Sequence, residues 1–356
     1  MSWARAQRLL PLLEWRAAQE GWALSPTWQQ AVRESRYRLS AREMLLKQQL
    51  QSLSKIAVRE AIPIVVVKGP VMAEFYPETI LRPYSDLDLL VPEEAATKLT
   101  TALQQEGYHT ELAGGRSTHL PPLHPSRAGF RIEIHTALDA HGSNSLFTFN
   151  RWASKLTPWE PFPDLWIPHP VEHFLYLTYH LIERHQFAGG GLSLTDFKFL
   201  TASWGPYEWQ KLQERGAALD MLRAVGLTLH LVAWFWPDSD ILEKERGSLT
   251  PLTQVLAASQ NMLLGYRTQL LPNVWRDLEG RGYKDWVRYL QKILFGEPQQ
   301  AQRRSFTEKI HFLLRRPGHL LKTYTPAILA LLRGNPESQA AWQARRELMT
   351  WLRARE

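Results

Sequence analysis

Before residue 60 the apolar positions recur at helical spacing. Leu46, Leu50, Leu53 and Ala57 share one face, and Ser40 with Glu43 three residues on reads as a capping box that starts a turn of helix. The period then changes. "IVVV" at 64–67 has the β-branched composition and the length of a buried strand, closed by Gly69 and by Pro70, a residue favoured in a first helical turn. "DLDLLV" at 86–91 predicts a second strand, and 92–106 a helix stopped by Gly107. "YHTEL" and "FRIEIHTAL" (130–138) predict two more strands, the latter alternating cleanly. After about residue 165 nearly every segment reads as helix, with "GGG" at 189–191 as a loop and many Trp and Tyr as packing mass between helices. Strands interleaved with helices predict an α/β (α+β) core with a mixed sheet at 61–165. It is flanked by an N-terminal helical segment at 1–60 and a larger all-helical region, divided into a helical domain at 166–300 and a basic helical tail at 301–356.

Composition changes this picture in three ways. A chain of 356 residues with 44% hydrophobic and 22% charged residues is globular. Its lack of cysteine excludes disulfides, thiolate metal sites and cysteine nucleophiles, which fits a cytoplasmic location. The longest apolar stretch, 224–236, is interrupted by His230 and falls short of the roughly 20 residues that span a bilayer, so no membrane is expected. The net charge of +7 lies wholly in 301–356, where 11 Lys and Arg face 4 Asp and Glu. That tail reads as an amphipathic helix docked through Leu313, Leu314, Leu320 and Leu321, with RNA contact as the sharper alternative.

The acidic residues in the predicted strands carry the chemistry. Side chains alternate along a strand, so Asp86 and Asp88 project from one face about 7 Å apart along the chain. Arg131, Glu133 and His135 share a face in the same way. If the two strands are neighbours, three carboxylates converge, and like charges about 6 Å apart repel by roughly 3 kcal/mol per pair at an effective dielectric near 20. Positive charge is therefore called for. Two divalent cations are the usual answer, Mg²⁺ in a hard oxygen-lined site, with Mn²⁺ as a substitute. The "KGP" turn upstream, with Lys68, Gly69, Arg82 and Ser85, supplies donors suited to phosphate oxygens, and "HLPPLHPS" at 119–126 reads as a rigid loop over the site. The helix at 170–186 carries His173, His180 and His185 but no His-Glu-x-x-His spacing, so a buried hydrogen-bonded histidine is the default there.

"VVVKGPVMAEFYPETILRPYSDLDLLV" followed by "RIEIHTAL" resembles an uncharacterised bacterial nucleotidyltransferase family of the DNA polymerase β-like superfamily. Lys68, Gly69, Tyr76, Pro77, Arg82, Pro83, Asp86, Asp88, Glu133 and His135 match its pattern in order. The resemblance implies a nucleotidyltransferase core, Asp86 and Asp88 as metal ligands with Glu133 as the third carboxylate, and an NTP as substrate. It also places His180 and Asp196 as accessory residues. One departure is Gly69-Pro70 where the superfamily commonly has Gly-Ser, so the triphosphate would lean on Lys68 and Arg82.

The expected function is transfer of an NMP from an NTP to an acceptor, with release of pyrophosphate. The acceptor, whether protein, peptide, RNA or small molecule, is left open. The alternative is a catalytically idle nucleotide-binding or antitoxin-like partner with the same fold. Keeping three mutually repelling carboxylates favours the enzyme.

Overall fold

A computed structural model of the chain describes residues 4–5, 7–110, 120–139, 145–187, 189–244, 250–264 and 336–353. They fall into two compact units, one within Met1–Leu181 and Gly189–Thr250, the other within Ile182–Ala188 and Pro251–Glu356.

The first unit opens with helices α1 (Leu10–Glu20) and α2 (Pro26–Glu60). With no glycine or proline after Pro26, α2 runs unbroken through Ser40, so the capping-box reading at that position is corrected. Glu43 instead accepts a hydrogen bond from the Thr79 hydroxyl at 2.7 Å. Ala61, left-handed at φ +51, ends the helix and returns its N–H to the Ala57 and Val58 carbonyls.

Next come β1 (Ile64–Val67), the short helix α3 (Gly69–Ala73), β2 (Asp86–Leu90), α4 (Glu93–Gln105), β3 (Tyr108–Thr110), β4 (Leu123–Pro125) and β5 (Arg131–His135). A hairpin of β6 (Leu156–Trp159) and β7 (Phe162–Pro168) follows. The seven strands form one mixed sheet in the order β3-β4-β5-β2-β1-β7-β6. β2 runs antiparallel to β1 and parallel to β5.

Alternation divides the sheet into two faces. Ile64, Val66, Leu87, Leu89, Ile132 and Ile134 pack with Leu46, Leu50, Leu53 and Ile56 of α2 and Leu99 and Leu103 of α4 into the apolar core. Asp86, Asp88, Arg131, Glu133 and His135 belong to the other face. Gln49, on the buried side of α2, fastens the start of β5: its amide accepts the Phe130 N–H at 2.6 Å and donates to the Phe130 carbonyl at 2.9 Å. A side chain thus supplies the pairing of a neighbouring strand where β5 begins.

One sequence expectation changes here. "HLPPLHPS" contributes β4, paired with β3 and β5, in place of a loop over the site. The stretch 156–168, despite Pro158, Pro161, Pro163 and Pro168, forms β6 and β7, with β7 beside β1.

After β7 come the helices α5 (Pro170–Tyr179), α6 (Gly190–Thr201), α7 (Pro206–Ala218) and α8 (Leu222–Phe235). The "GGG" expected as a loop instead starts α6, with Gly189 at φ +68 before its first turn. A β-carbon on Gly191 would stand 3.0 Å from Leu9 and 3.3 Å from Gln7, so the N-terminal segment approaches this backbone closely and a larger residue would push those side chains aside. α5 is tied to α7 by Glu172, which holds Arg215 through two hydrogen bonds of 2.6 and 3.2 Å.

In the second unit α9 (Thr253–Leu264) packs on α10 (Pro336–Arg353), burying Val255, Met262 and Leu263 with Leu348 and Met349. α10 is the described part of the basic tail. Its remainder at 301–335, including Leu313, Leu314, Leu320 and Leu321, lies outside the described residues, as does 265–300 of the expected helical domain. Among the described residues no helix is long and apolar enough to cross a membrane.

Candidate active site

β1 ends in a strained turn. Lys68 sits at φ +56 and ψ −129, a conformation that costs a residue with a β-carbon on the order of 1–3 kcal/mol. Two hydrogen bonds hold it there: its N–H donates to Nε2 of His173 on α5 at 3.1 Å, and its carbonyl accepts from Met72 at 2.9 Å. Burial, with the charges of Arg82 and Lys68, pushes the pKa of His173 down to about 3. The imidazole is therefore neutral, with Nε2 as acceptor and its proton on Nδ1. Gly69 follows; a β-carbon there would stand 3.4 Å from Tyr84 and 3.5 Å from the Asp86 carbonyl, so the turn lies against the start of β2.

The strained backbone aims the Lys68 ammonium at the neighbouring strand. Its Nζ lies 3.4 Å from Oδ2 of Asp88 and 5.3 Å from the centre of the Tyr176 ring. Burial opposes the charge, but Asp88, Tyr176 and Asp86 outweigh it and raise the Lys68 pKa above the ordinary range. Asp88 responds in kind. Burial works to raise its pKa, yet Lys68 and His135 hold it well below that of a usual carboxylate.

Parallel pairing sets Asp88 in register with Glu133, and Asp86 with Arg131. The convergence expected of neighbouring strands is met. Nε2 of His135 is 2.9 Å from Oδ1 of Asp88 and 3.9 Å from Oε2 of Glu133. One Arg131 nitrogen, Nη2, donates to Oδ2 of Asp86 at 3.0 Å and lies 2.7 Å from Oε1 of Glu133. Much of the positive charge that the carboxylates call for thus comes from the chain itself.

Asp88, Glu133 and His135 each offer a ligand atom, all within 4.8 Å of one another. Two carboxylate oxygens and one imidazole nitrogen fit a divalent cation, and the nitrogen widens the set from Mg²⁺ towards Mn²⁺. This cluster differs by one member from the expected trio. His135 stands in it, while Asp86, at the more open start of β2, is held by Arg131.

Arg82 is placed differently from expectation. It is buried, and its Nε and Nη2 bind both oxygens of Asp196 at 2.9 and 2.8 Å, while the Tyr76 hydroxyl donates to the same carboxylate at 2.7 Å. Three residues singled out from the sequence thereby form one closed network that ties the segment before β2 to α6. Ser85 is exposed immediately before Asp86. His180 follows α5, with its ring 5.8 Å from that of Tyr176. His173 is buried and hydrogen-bonded, as expected of a histidine on that helix; its partner, the Lys68 N–H 105 residues away, is what no local pattern reports.

A mixed sheet with a strand-to-helix lysine turn beside an Asp-x-Asp strand, and a Glu-x-His strand parallel to that, is the framework of a nucleotidyltransferase. Residues 1–237 match the family described as uncharacterised nucleotidyltransferase, and the chain belongs to that family. No curated protein matches the chain.

Proposed function

We propose that the protein transfers a nucleoside monophosphate from an NTP to an acceptor hydroxyl. The acceptor oxygen bonds to the α-phosphorus, the bond to the bridging oxygen of the β-phosphate breaks, and pyrophosphate leaves. The observation that carries this reading is the register of β2 and β5, which places Asp88 beside Glu133 and His135, next to the Lys68 turn.

Asp88, Glu133 and His135 would hold a divalent cation, Mg²⁺ or Mn²⁺, which when bound polarises a phosphoryl oxygen and neutralises charge developing on the leaving group. The chain's own groups do the rest. Lys68, kept charged by its surroundings, and Ser85 meet phosphate oxygens, and Gly69 lets the backbone approach. Glu133 accepts the acceptor's proton. Asp86 positions Arg131. Arg82, occupied by Asp196, fixes the loop from which β2 starts and acts on the nucleotide only through that position.

The experiment is calorimetric titration of the protein with an NTP whose α,β-bridge resists cleavage, with and without Mg²⁺. Binding that requires the metal and disappears in Asp88→Asn is expected; metal-independent binding, retained in that variant, sinks the reading. A second reading, an idle nucleotide-binding or antitoxin-like partner, draws on one observation. Lys68, Arg131 and His135 already partner the carboxylates, so keeping three acidic groups does not by itself require a metal. Nucleotide binding without turnover on any acceptor would favour it.

A further inference from the structure

Glu133 is the hinge of the site, because its two oxygens face different partners. Oε2 looks toward Nε2 of His135 at 3.9 Å, within the Asp88–Glu133–His135 cluster. Oε1 is 2.7 Å from Nη2 of Arg131, the nitrogen that also donates to Asp86 at 3.0 Å. A single positively charged nitrogen therefore stands between two carboxylates from adjacent strands, as a cation shared by them would.

The geometry points to a site built for one divalent ion and one guanidinium, with Arg131 holding the place of a second ion. This rests on the nucleotidyltransferase reading and refines it. Three observations support it. Both carboxylates that would flank a second ion, Asp86 and Glu133, are bonded to the same Arg131 nitrogen. Asp86, Asp88 and Glu133 are countered by Lys68 and Arg131, so one divalent ion already overcompensates the remaining negative charge before a triphosphate enters. Arg131 is also half-exposed, with a side chain 40% accessible, so its remaining N–H donors can meet an incoming phosphate while Nη2 stays between the carboxylates.

A consequence is that a second ion at Asp86 and Glu133 has to displace Arg131. Removing the guanidinium opens that place. The test is Mn²⁺ binding to the full chain without nucleotide, followed by electron paramagnetic resonance of the unbound ion. The wild type should take up one tight Mn²⁺ per chain, Arg131→Gln should take up two, and Arg131→Lys, which restores the charge, should return toward one. Circular dichroism and melting temperature establish that each variant is folded. Two tight ions in the wild type, or a single ion of unchanged affinity in Arg131→Gln, overturn the assignment of Arg131 and leave the nucleotidyltransferase reading standing. Failure of the folded wild type to bind Mn²⁺ at all sinks the metal site, and with it both readings.

Discussion

Arg82 and Arg131 each bind acidic side chains, yet one is sealed in the interior and the other lies half-exposed beside the candidate metal cluster. Arg82 is buried, reaches both oxygens of one carboxylate and shares that carboxylate with the Tyr76 hydroxyl, so the carboxylate is matched on both oxygens inside the protein. Arg131 is half-exposed and divides one nitrogen between two carboxylates that belong to a metal-fit cluster or adjoin it. A buried, mutually satisfied pair cannot exchange partners without exposing an uncompensated charge. A half-exposed bridge can.

The largest expected effect tests the buried side of the comparison. Asp196→Asn leaves Arg82 charged and half-partnered in the interior and should cost about 3–5 kcal/mol in chemical denaturation, the usual penalty for breaking a buried pair. Unchanged stability would remove the distinction between the two arginines.

His173 tests how the strained turn is held. Its folded pKa is about 3 against an ordinary 6.5, so the unfolded chain binds the extra proton between those values. Its contribution is present above about pH 6.5 and is lost as pH falls toward 3. Stability should therefore drop by on the order of 3 kcal/mol more in the wild type than in His173→Asn between about pH 7 and pH 4. Parallel losses in the two proteins would mean that this imidazole is not held neutral.

Asp88→Asn sharpens the contrast from the site's side. Simple repulsion among carboxylates predicts a variant at least as stable as the wild type. The structure predicts the reverse, a loss of about 1–3 kcal/mol, because Lys68 and His135 lose the charge that partners them. A higher melting temperature would restore the repulsion picture. The smallest effect belongs to Arg131→Gln, whose half-exposed bridge should cost less than about 1 kcal/mol while changing metal binding.

How much of this was legible in the chain depended on whether the signal was local. The strands at 64–67, 86–90 and 131–135 were readable because β-branched runs and strict alternation are short-range patterns. The approach of Asp88 to Glu133 followed as soon as β2 and β5 were neighbours. β6 and β7 were hidden because four prolines in 156–168 signal loop more strongly than the alternate apolar residues signal strand, and proline is tolerated where no ladder N–H is needed. Arg82 looked like a phosphate ligand because its partner lies 114 residues away, at a separation no local pattern reports. Gln49 showed nothing beyond a polar residue between Leu46 and Leu50. Arg131 was visible on the right face, but its role depends on two side chains of another strand and of its own, and those meet only in the folded sheet.

The most direct measurement of nucleotidyl transfer compares two labels. The protein is incubated with Mg²⁺, a host lysate and each NTP in turn, carrying a label on either the α- or the γ-phosphate, and the labelled products are separated into protein, RNA and small molecules. Transfer of the α-label to one acceptor class, with the γ-label recovered in pyrophosphate and both signals absent in Asp88→Asn, is the predicted result. Transfer of the γ-label, or α-labelling that survives in Asp88→Asn, would contradict it.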